Sequence, residues 1–548
     1  MDENYRYGSE NMKRKKRRRG SGVSLLAALF VLFVLIIAAV LLINKYLPNF
    51  SEESPYTYYE DMSPESLYIV WHDERLVLDR NPVIENGEVY VPADFVRTYL
   101  DEYIFWEDGA NTLTITTNNE VMRFETDNLN YYINHEPLKL NLPVLKIEGA
   151  AYLPVSMVQT LYPAVINYSA DFKMVITDKT DTQKQMGRIS AKNTNMRYEP
   201  DIKSPIQKKL TAGTVITVYN EADEKFTKIR TEDGLIGYIY TKDFVNTQVI
   251  APKVPERESY TPPFTEKIIL AWDQIYNYDT NFAESRRAEN KGVNVLSPTW
   301  LTFDAEKMDG SIINIADLSY VERAHERGVQ VWALISDSFN SEIADMVLRN
   351  PDTREFVIKQ LLALIDIYGL DGINVDFEQI TEDTAPYYLQ FFRELAPFMR
   401  ESGAVLSVDM YVPTYTKHYN RTEVAKVADY ICVMTYDEHY GEASGSGPVA
   451  SLPFVEDGIA ATLTEVPKEK LIMGLPFYTR VWRETDSGSV SVDANMPMGY
   501  AEARFKENGA GEFEWIEEAG SYYGQYREAD EDGTDITYKT WFEDETSI

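Results

Sequence analysis

Asp371-Gly372-Ile373-Asn374-Val375-Asp376-Phe377-Glu378 is the stretch from which the larger, C-terminal part of this chain can be read. Apolar side chains at 373, 375 and 377 alternate with polar or acidic ones at 374, 376 and 378, the period of a strand with one greasy face and one polar face. Neighbouring positions on one face lie roughly 6–7 Å apart. An amide and two carboxylates therefore stand in a row that ends in Glu378. Cleavage of a glycosidic bond needs a proton donor and a partner for developing positive charge, and this row offers both. A merely solvated acidic face is the plain alternative. Against it, residues 361–370 form an apolar, helix-like approach that stops at Tyr368-Gly369, as a helix does before a buried strand.

Outward from this stretch, strands and helices alternate. Apolar strand-like runs fall at 267–275, 293–303, 329–336, 372–378, 404–412, 430–437 and 471–481. Helical patterns lie between them at 315–327, 351–368, 386–402 and 423–427. Repeated βα units with apolar strands predict a parallel sheet covered by helices. Seven such strands suit a TIM barrel. Trp272, Asp273, Trp300, Asp376, Glu378, Tyr436 and Asp437 then cluster at strand C-terminal ends, the rim where barrels carry their sites.

These motifs carry a resemblance. The octapeptide resembles the DxxDxDxE signature of glycoside hydrolase family 18, on that family's fourth strand. Met434-Thr435-Tyr436-Asp437 is similar to its sixth-strand Met-x-Tyr-Asp/Asn motif, and Gly474-Leu475-Pro476-Phe477-Tyr478 to its seventh-strand pattern. The resemblance covers about 265–548. It implies Glu378 as general acid/base, Asp376 as the group that orients a substrate N-acetyl, and Tyr436 as a hydrogen-bond partner near that acetamido group. Asp371, Asn374, Met434, Asp437, Trp272 and Trp300 are implied as substrate-binding or supporting residues. In this family the substrate's own acetamido oxygen attacks the anomeric carbon, so neither a carboxylate nucleophile nor a cofactor is implied. Glu378 should then be protonated near neutrality, raised by burial and by Asp376.

The stretch also departs from the family pattern. The signature's second Asp is Asn374, which can hydrogen-bond but cannot share a proton. The same substitution, the Gly447-Pro448 segment and the run from Trp541 to Asp544 resemble the branch of bacterial spore-cortex-lytic glucosaminidases. The third strand, with Ala333, Leu334, Ile335, Ser336 and Asp337, lacks the Ser-x-Gly-Gly of chitinases. Both features move the expected substrate from chitin toward peptidoglycan. Residues 540–548 resemble the segment before the family's last helix and strand, so the barrel is expected to lack its eighth strand and the floor tryptophan that strand supplies. Before it, 484–539 reads as an excursion with a helix-like part at 501–508 and a hairpin around Asp532-Gly533. Tyr522, Tyr523 and Tyr526 in this excursion are read as core packing before cleft lining.

The N-terminal modules place this barrel outside a membrane. Residues 13–19 are all basic and precede an apolar run from Val23 to Ile43. The reading is a basic cytoplasmic tail (1–21) and a transmembrane helix (22–44), an uncleaved single-pass anchor with its N-terminus cytoplasmic. Residues 65–180 hold an internal repeat: Pro82-Val83 and Glu88-Val89-Tyr90-Val91-Pro92 recur as Pro143-Val144 and Ala151-Tyr152-Leu153-Pro154. This duplicated α+β domain resembles copper amine oxidase N-terminal-like domains, with no copper site implied. Residues 186–248 read as a small β-barrel whose Asn195-Met196-Arg197 and Gly234-Leu235-Ile236-Gly237-Tyr238-Ile239 resemble a bacterial SH3-like domain. A Pro-rich linker (249–264) follows.

Composition narrows the partners. A formal net charge of -34 argues against nucleic acid, and the five histidines show no metal-ligand spacing. Cys432, the only cysteine, sits in an apolar run and reads as a buried structural thiol. The expected protein is a multidomain, membrane-anchored, extracytoplasmic glycoside hydrolase acting on peptidoglycan in the cell wall. The alternatives are a chitinase and a non-hydrolytic glycan-binding or scaffold protein on the same fold.

Overall fold

The computed structural model describes residues 21–222, 225–253, 260–282, 291–441, 444–529, 534–544 and 547. The basic run at 13–19, the turn at Asp532-Gly533 and part of the Pro-rich linker lie outside the described residues. Packing divides the chain into two units, Met1–Val91 with Val155–Pro255 and Pro92–Pro154 with Glu256–Ile548.

The first unit contains the helix Ser21–Tyr46, whose stretch Leu26–Tyr46 is 21 residues long and apolar enough to cross a membrane. At 1.5 Å per residue such a stretch is about 31 Å long, the thickness of a bilayer's hydrocarbon core. Further along, Tyr68–Trp71 pairs in parallel with Met174–Lys179. Seven antiparallel strands between Lys184 and Ile250 form a separate sheet. Val70, Met174, Ile176, Ile216 and Ile229 join these parts in one core.

The second unit holds the parallel sheet. Its strands are β1 (Leu270–Asp273), β2 (Val295–Pro298), β3 (Gln330–Ser336), β4 (Gly372–Asp376), β5 (Val405–Tyr411), β6 (Tyr430–Met434) and β7 (Leu471–Gly474). They pair in that order, all parallel, and β1 and β7 stand at the two ends of the path. The fold is TIM-barrel-like, with the sheet open between β1 and β7. Among the described residues no strand lies between those two edges.

The octapeptide forms β4 and the residues just beyond it, and its two sides are fixed by sterics. Ile373, Val375 and Phe377 are fully buried in the core between sheet and helices. Gly372 is required where it stands: a Cβ there would meet Trp332 Cδ1 and the Val405 carbonyl oxygen, both at 2.8 Å. The helix before β4, α1 (Pro351–Tyr368), starts on the Asn350 cap with Pro351 in its first turn. It stops at Gly369, whose φ of 65° only glycine adopts without strain. The helix after β4, α2 (Ala385–Ser402), ends in the same way at Gly403 with φ 70°.

Residues 104–139 form a five-stranded antiparallel meander in the same unit. It meets α1 and α2 through one buried charge cluster. Arg354 on α1 is completely buried and donates from Nη2 to Glu107 Oε2 at 2.7 Å and to Glu394 Oε1 on α2 at 2.8 Å. Phe105 packs edge-on against Tyr387, and His135 stacks on Phe398.

Three expectations change. The run 471–481 is two strands: β7 ends at Gly474, Pro476 has no N–H for the ladder, and Tyr478–Thr485 enters another sheet. The run 293–303 is likewise interrupted after Pro298, and Leu301–Phe303 pairs on its own with the end of β3. The excursion keeps its expected helix, Met498–Glu507, and its hairpin pairing, within an antiparallel sheet of five strands in the order Val490–Pro497, Tyr478–Thr485, Asp535–Phe542, Ser521–Ala529 and Glu514–Ile516. Thr540, Trp541 and Phe542, read from sequence as leading to a closing helix, end the strand Asp535–Phe542: all three pair with Ser521–Ala529, and Thr540 pairs with Val481 as well. Tyr526 is buried against Phe505 and Tyr538, and Tyr522 stacks on Phe542, so these rings pack the excursion's own core.

Replacing Glu107 with Ala would remove one of the two carboxylates that neutralise the buried Arg354 guanidinium. Loss of one partner of a buried pair costs about 3–5 kcal/mol, and urea denaturation followed by tryptophan fluorescence should show a loss of that order. An effect below about 0.5 kcal/mol, the level of an ordinary surface change, would mean that the cluster does not hold the meander to the helices.

Candidate active site

The side chains that converge at the sheet's C-terminal rim come from β1 and from the ends of β3 to β7. Parallel strands put successive inward residues at one level, and the register Asn374 with Ser407 and Val375 with Val408 brings the inward positions of β4 and β5 side by side. Glu378 follows the end of β4. Its carbonyl oxygen accepts from the Tyr419 hydroxyl at 2.7 Å, and its carboxylate Oε2 accepts from the Tyr411 hydroxyl at the end of β5. Asp337, fully buried beyond β3, accepts from the backbone N–H of Gln379 and of Phe339, both at 3.0 Å. These contacts fix the turn that carries Glu378.

Deeper in the sheet, Asn374 is fully buried. Its amide Nδ2 donates to Asp409 Oδ2 on β5, and its Oδ1 accepts from the Ser407 hydroxyl at 3.1 Å. Trp272 from β1 donates its indole Nε1 to the same Asp409 oxygen at 3.0 Å. The Trp272 ring lies across β7, where a Cβ on Gly474 would be 2.9 Å from Cη2. Tyr436, just past β6, meets the rings of Trp272 and Tyr478 edge-on, each at 6.3 Å. Asp437, with φ 61°, accepts from Arg480 Nη2 at 2.8 Å and from the Tyr478 hydroxyl.

A cleft of ≈ 1350 Å³ joins these groups; Trp272, Asp376, Glu378, Tyr411, Tyr436 and Asp437 line it. It continues down between β1 and β7, past Ile269 and Leu471, and the excursion supplies Arg480 and Met496 to its wall. Acidic groups dominate its electrostatics. Burial raises the Glu378 carboxyl to about 7; the Tyr411 hydrogen bond opposes the rise, and the charges of Asp337 and Asp437 add to it. Burial, one of the two expected causes, leads this shift, and the neighbouring Asp376 is raised as well. Burial raises Asp376 well above the carboxylate range, with Asp409 and then Glu378 as the next causes. Burial also raises Asp409 to about 8, although N–H donors and the Cys432 thiol stabilise its charge. The arrangement is a carboxylic acid, just past β4, that holds its proton toward neutrality, beside a second carboxyl at that strand's end.

The structure brings together Glu378, Asp376, Tyr436, Asp437, Met434 and Trp272 on the cleft, with Asn374 buried directly behind it. It does not bring in two others. Asp371 lies at the opposite end of β4, where it accepts from Val331 N at 2.8 Å and pairs with His325. Trp300 is 1% exposed in the core and donates to Asn281 Oδ1 at 2.8 Å; β2 ends before it, so its ring turns into the core. Asp409 and Tyr411 were not singled out from the sequence. Their signal was present: Ser407, Asp409 and Tyr411 alternate with Val408 and Met410 as the octapeptide does. Asp337 and Arg480 carried no such pattern.

Because the Tyr411 hydroxyl stabilises the ionised carboxylate, Tyr411→Phe should move the Glu378 titration above its value of about 7. An infrared or NMR titration of the carboxyl checks the sign, and a fall or no change would remove Tyr411 from the site.

Comparison with known proteins agrees with this geometry. Residues 235–548, more than half of the chain, match Glycosyl hydrolases family 18. Residues 70–177 match the Copper amine oxidase N-terminal domain and 192–245 the Bacterial SH3 domain. The Cortical fragment-lytic enzyme of Bacillus subtilis (strain 168) is 25% identical over 226 residues, 39% of this chain and 50% of that protein. The Di-N-acetylchitobiase of Rattus norvegicus is 28% identical over 197 residues, 33% of this chain and 51% of that protein. The chain thus spans about half the length of these curated relatives. Among solved structures, the Bacillus cereus spore cortex-lytic enzyme SleL aligns with a TM-score of 0.45 at 18% identity, over 55% of this chain and 68% of that one.

Proposed function

The chain belongs to glycosyl hydrolase family 18, and on that premise we propose that its cleft cleaves β-linked N-acetylglucosamine glycans, peptidoglycan above all, by a substrate-assisted retaining mechanism. One observation carries this reading: Glu378, protonated up to about pH 7, faces a large cleft just past the end of β4, two residues beyond Asp376.

In the first step the acetamido oxygen of the bound sugar attacks the anomeric carbon while the bond from that carbon to the leaving oxygen breaks. Glu378 gives its proton to the leaving oxygen. The ring formed is a positively charged oxazolinium, and ionised Asp376 stabilises it through space and holds the acetamido N–H. Tyr436 hydrogen-bonds the acetamido group. In the second step a water attacks the same carbon, its proton returns to Glu378, and the acetamido group is released with the anomeric configuration retained. Trp272 supplies an apolar wall for a sugar face.

The preference for peptidoglycan rests on Asn374 and on the names of the cortex-lytic relatives. The match to a chitobiase favours a second reading within the same chemistry, the hydrolysis of chitooligosaccharides. The helix Leu26–Tyr46 supports a single-pass anchor with the N-terminus cytoplasmic and the cleft outside, where the cell wall is.

Digestion of purified peptidoglycan by the protein, with mass spectrometry of the new reducing ends, tests the reading. Glu378→Gln should lower the rate by about 10²–10⁴-fold, the usual contribution of a general acid/base. The reaction needs the protonated acid, so activity should fall as pH rises through about 7. If wild type and Glu378→Gln release the same trace of product, the enzymatic reading is wrong.

A further inference from the structure

We infer that Asp409 is a positioning residue for Asp376: from the neighbouring strand it supplies the buried carboxyl that the octapeptide lacks at Asn374, and it carries the proton that lets Asp376 be an anion beside Glu378. This rests on the glycosidase reading of the cleft and goes beyond it by moving one member of the acidic row from β4 to β5.

Four observations converge on it. First, Asn374 cannot hold a titrating proton, and its side chain is committed: Nδ2 donates to Asp409 and Oδ1 accepts from Ser407. Second, the register places Val375 level with Val408, so the next residues, Asp376 and Asp409, stand side by side on adjacent strands with the same inward sense. Third, the two oxygens of Asp409 have different surroundings. Oδ2 accepts two N–H groups, from Trp272 and Asn374, as the carbonyl oxygen of a neutral acid does. Oδ1 is buried with no hydrogen-bond partner among the described residues, apart from the weakly donating Cys432 thiol that faces this carboxyl. Fourth, Asp376 Oδ1 is also buried without a partner. A proton on Asp409 Oδ1, shared with Asp376, would satisfy both orphaned atoms at once, whereas two buried anions on adjacent strands would repel.

The surrounding titratable groups fit this assignment. Asp376 and Glu378 face Asp409 from β4 and its end, and Cys432 and Tyr436 face it from β6 and its end; β1 contributes only the neutral Trp272 indole. Asp337, beyond β3, bears on Asp376. Burial and the Glu378 charge keep the proton on Asp409 until about pH 8, above the point where Glu378 loses its own. Burial also raises Asp376 well above the carboxylate range, so the Asp376–Asp409 pair keeps a proton at neutrality. The two orphaned oxygens place that proton on Asp409 and leave the pair's charge on Asp376. In the step proposed above, the Asp409 proton stays in place; it is a donor to Asp376 and does not move to substrate.

The test compares the full chain with Asp409→Asn, Asp409→Ala and the double change Asn374→Asp with Asp409→Ala. Asn keeps a neutral donor toward Asp376, and kcat should stay within about threefold of wild type. Ala removes the donor: kcat should fall at least about tenfold with KM little changed, and the acid limb of the pH profile should move up as Asp376 becomes harder to ionise. The double variant returns a carboxyl to 374 and should recover part of the loss. Infrared difference spectra at pH 7 give a readout independent of turnover: Asp409→Asn should contain one protonated carboxyl fewer than wild type. If that band is absent from wild type, or if Ala leaves kcat and the acid limb unchanged, or if Asn and Ala are equally impaired, the inference is overturned. If the band is present but the wild type cleaves no N-acetylglucosamine glycan, the glycosidase reading falls and the placement of the proton stands.

Discussion

Five carboxyls, Asp337, Asp376, Glu378, Asp409 and Asp437, sit within electrostatic reach of one another at one end of a buried sheet, and the structure around them depends on how that crowding is relieved. In water such a cluster would ionise fully. In a cleft with low local dielectric, each added charge raises the cost of the next. Relief comes in different ways. Asp337 is an anion site for two backbone N–H groups. Asp437 is paired with Arg480. Burial holds Glu378 and Asp409 protonated toward neutrality and raises Asp376 well above the carboxylate range as well, so the charge proposed for Asp376 depends on the proton that Asp409 takes. The chemistry assigned to the site, a proton donor beside an anion, is the outcome of that distribution.

The scaffold serves to keep these groups from moving apart. Strand β4 lies between α1 and α2, and both helices are tied by the buried Arg354 to each other and to the meander at 104–139. A segment within the residues that match the Copper amine oxidase N-terminal domain is thereby part of the packing around the strand that leads to Glu378. Tyr411 and Tyr419 fix Glu378 from β5 and the loop beyond it, so the acid is held at its carboxylate and at its backbone. Such double support is what keeps a proton donor within the small tolerance that proton transfer allows.

Much of this was legible in residue patterns. Alternation marked β4, and the Gly369 stop marked the helix before it. Apolar runs marked the other parallel strands, though proline broke two of the longer ones where apolar character alone continued. Glu378, Asp376, Tyr436 and Trp272 could be placed on one rim because strand ends converge in a parallel sheet. Trp300 could not: an aromatic near a strand end reads the same whether its ring faces solvent or core, and only the turn after Pro298 decides. Of the excursion, the helix and the hairpin pairing were legible, whereas its longer-range pairing, as of Val481 with Thr540, was hidden because it spans long intervening segments.

By itself the sequence determined the period of each strand, the acid at the end of β4, the amide at 374 and the apolar helix at the N-terminus, because these are local properties of spacing and composition. The tertiary structure alone decided that the carboxyl absent from 374 is present at 409. That substitution runs across strands, through a register that places residues 33 to 35 positions apart at hydrogen-bonding distance, and no pattern within either strand records which neighbour it will face.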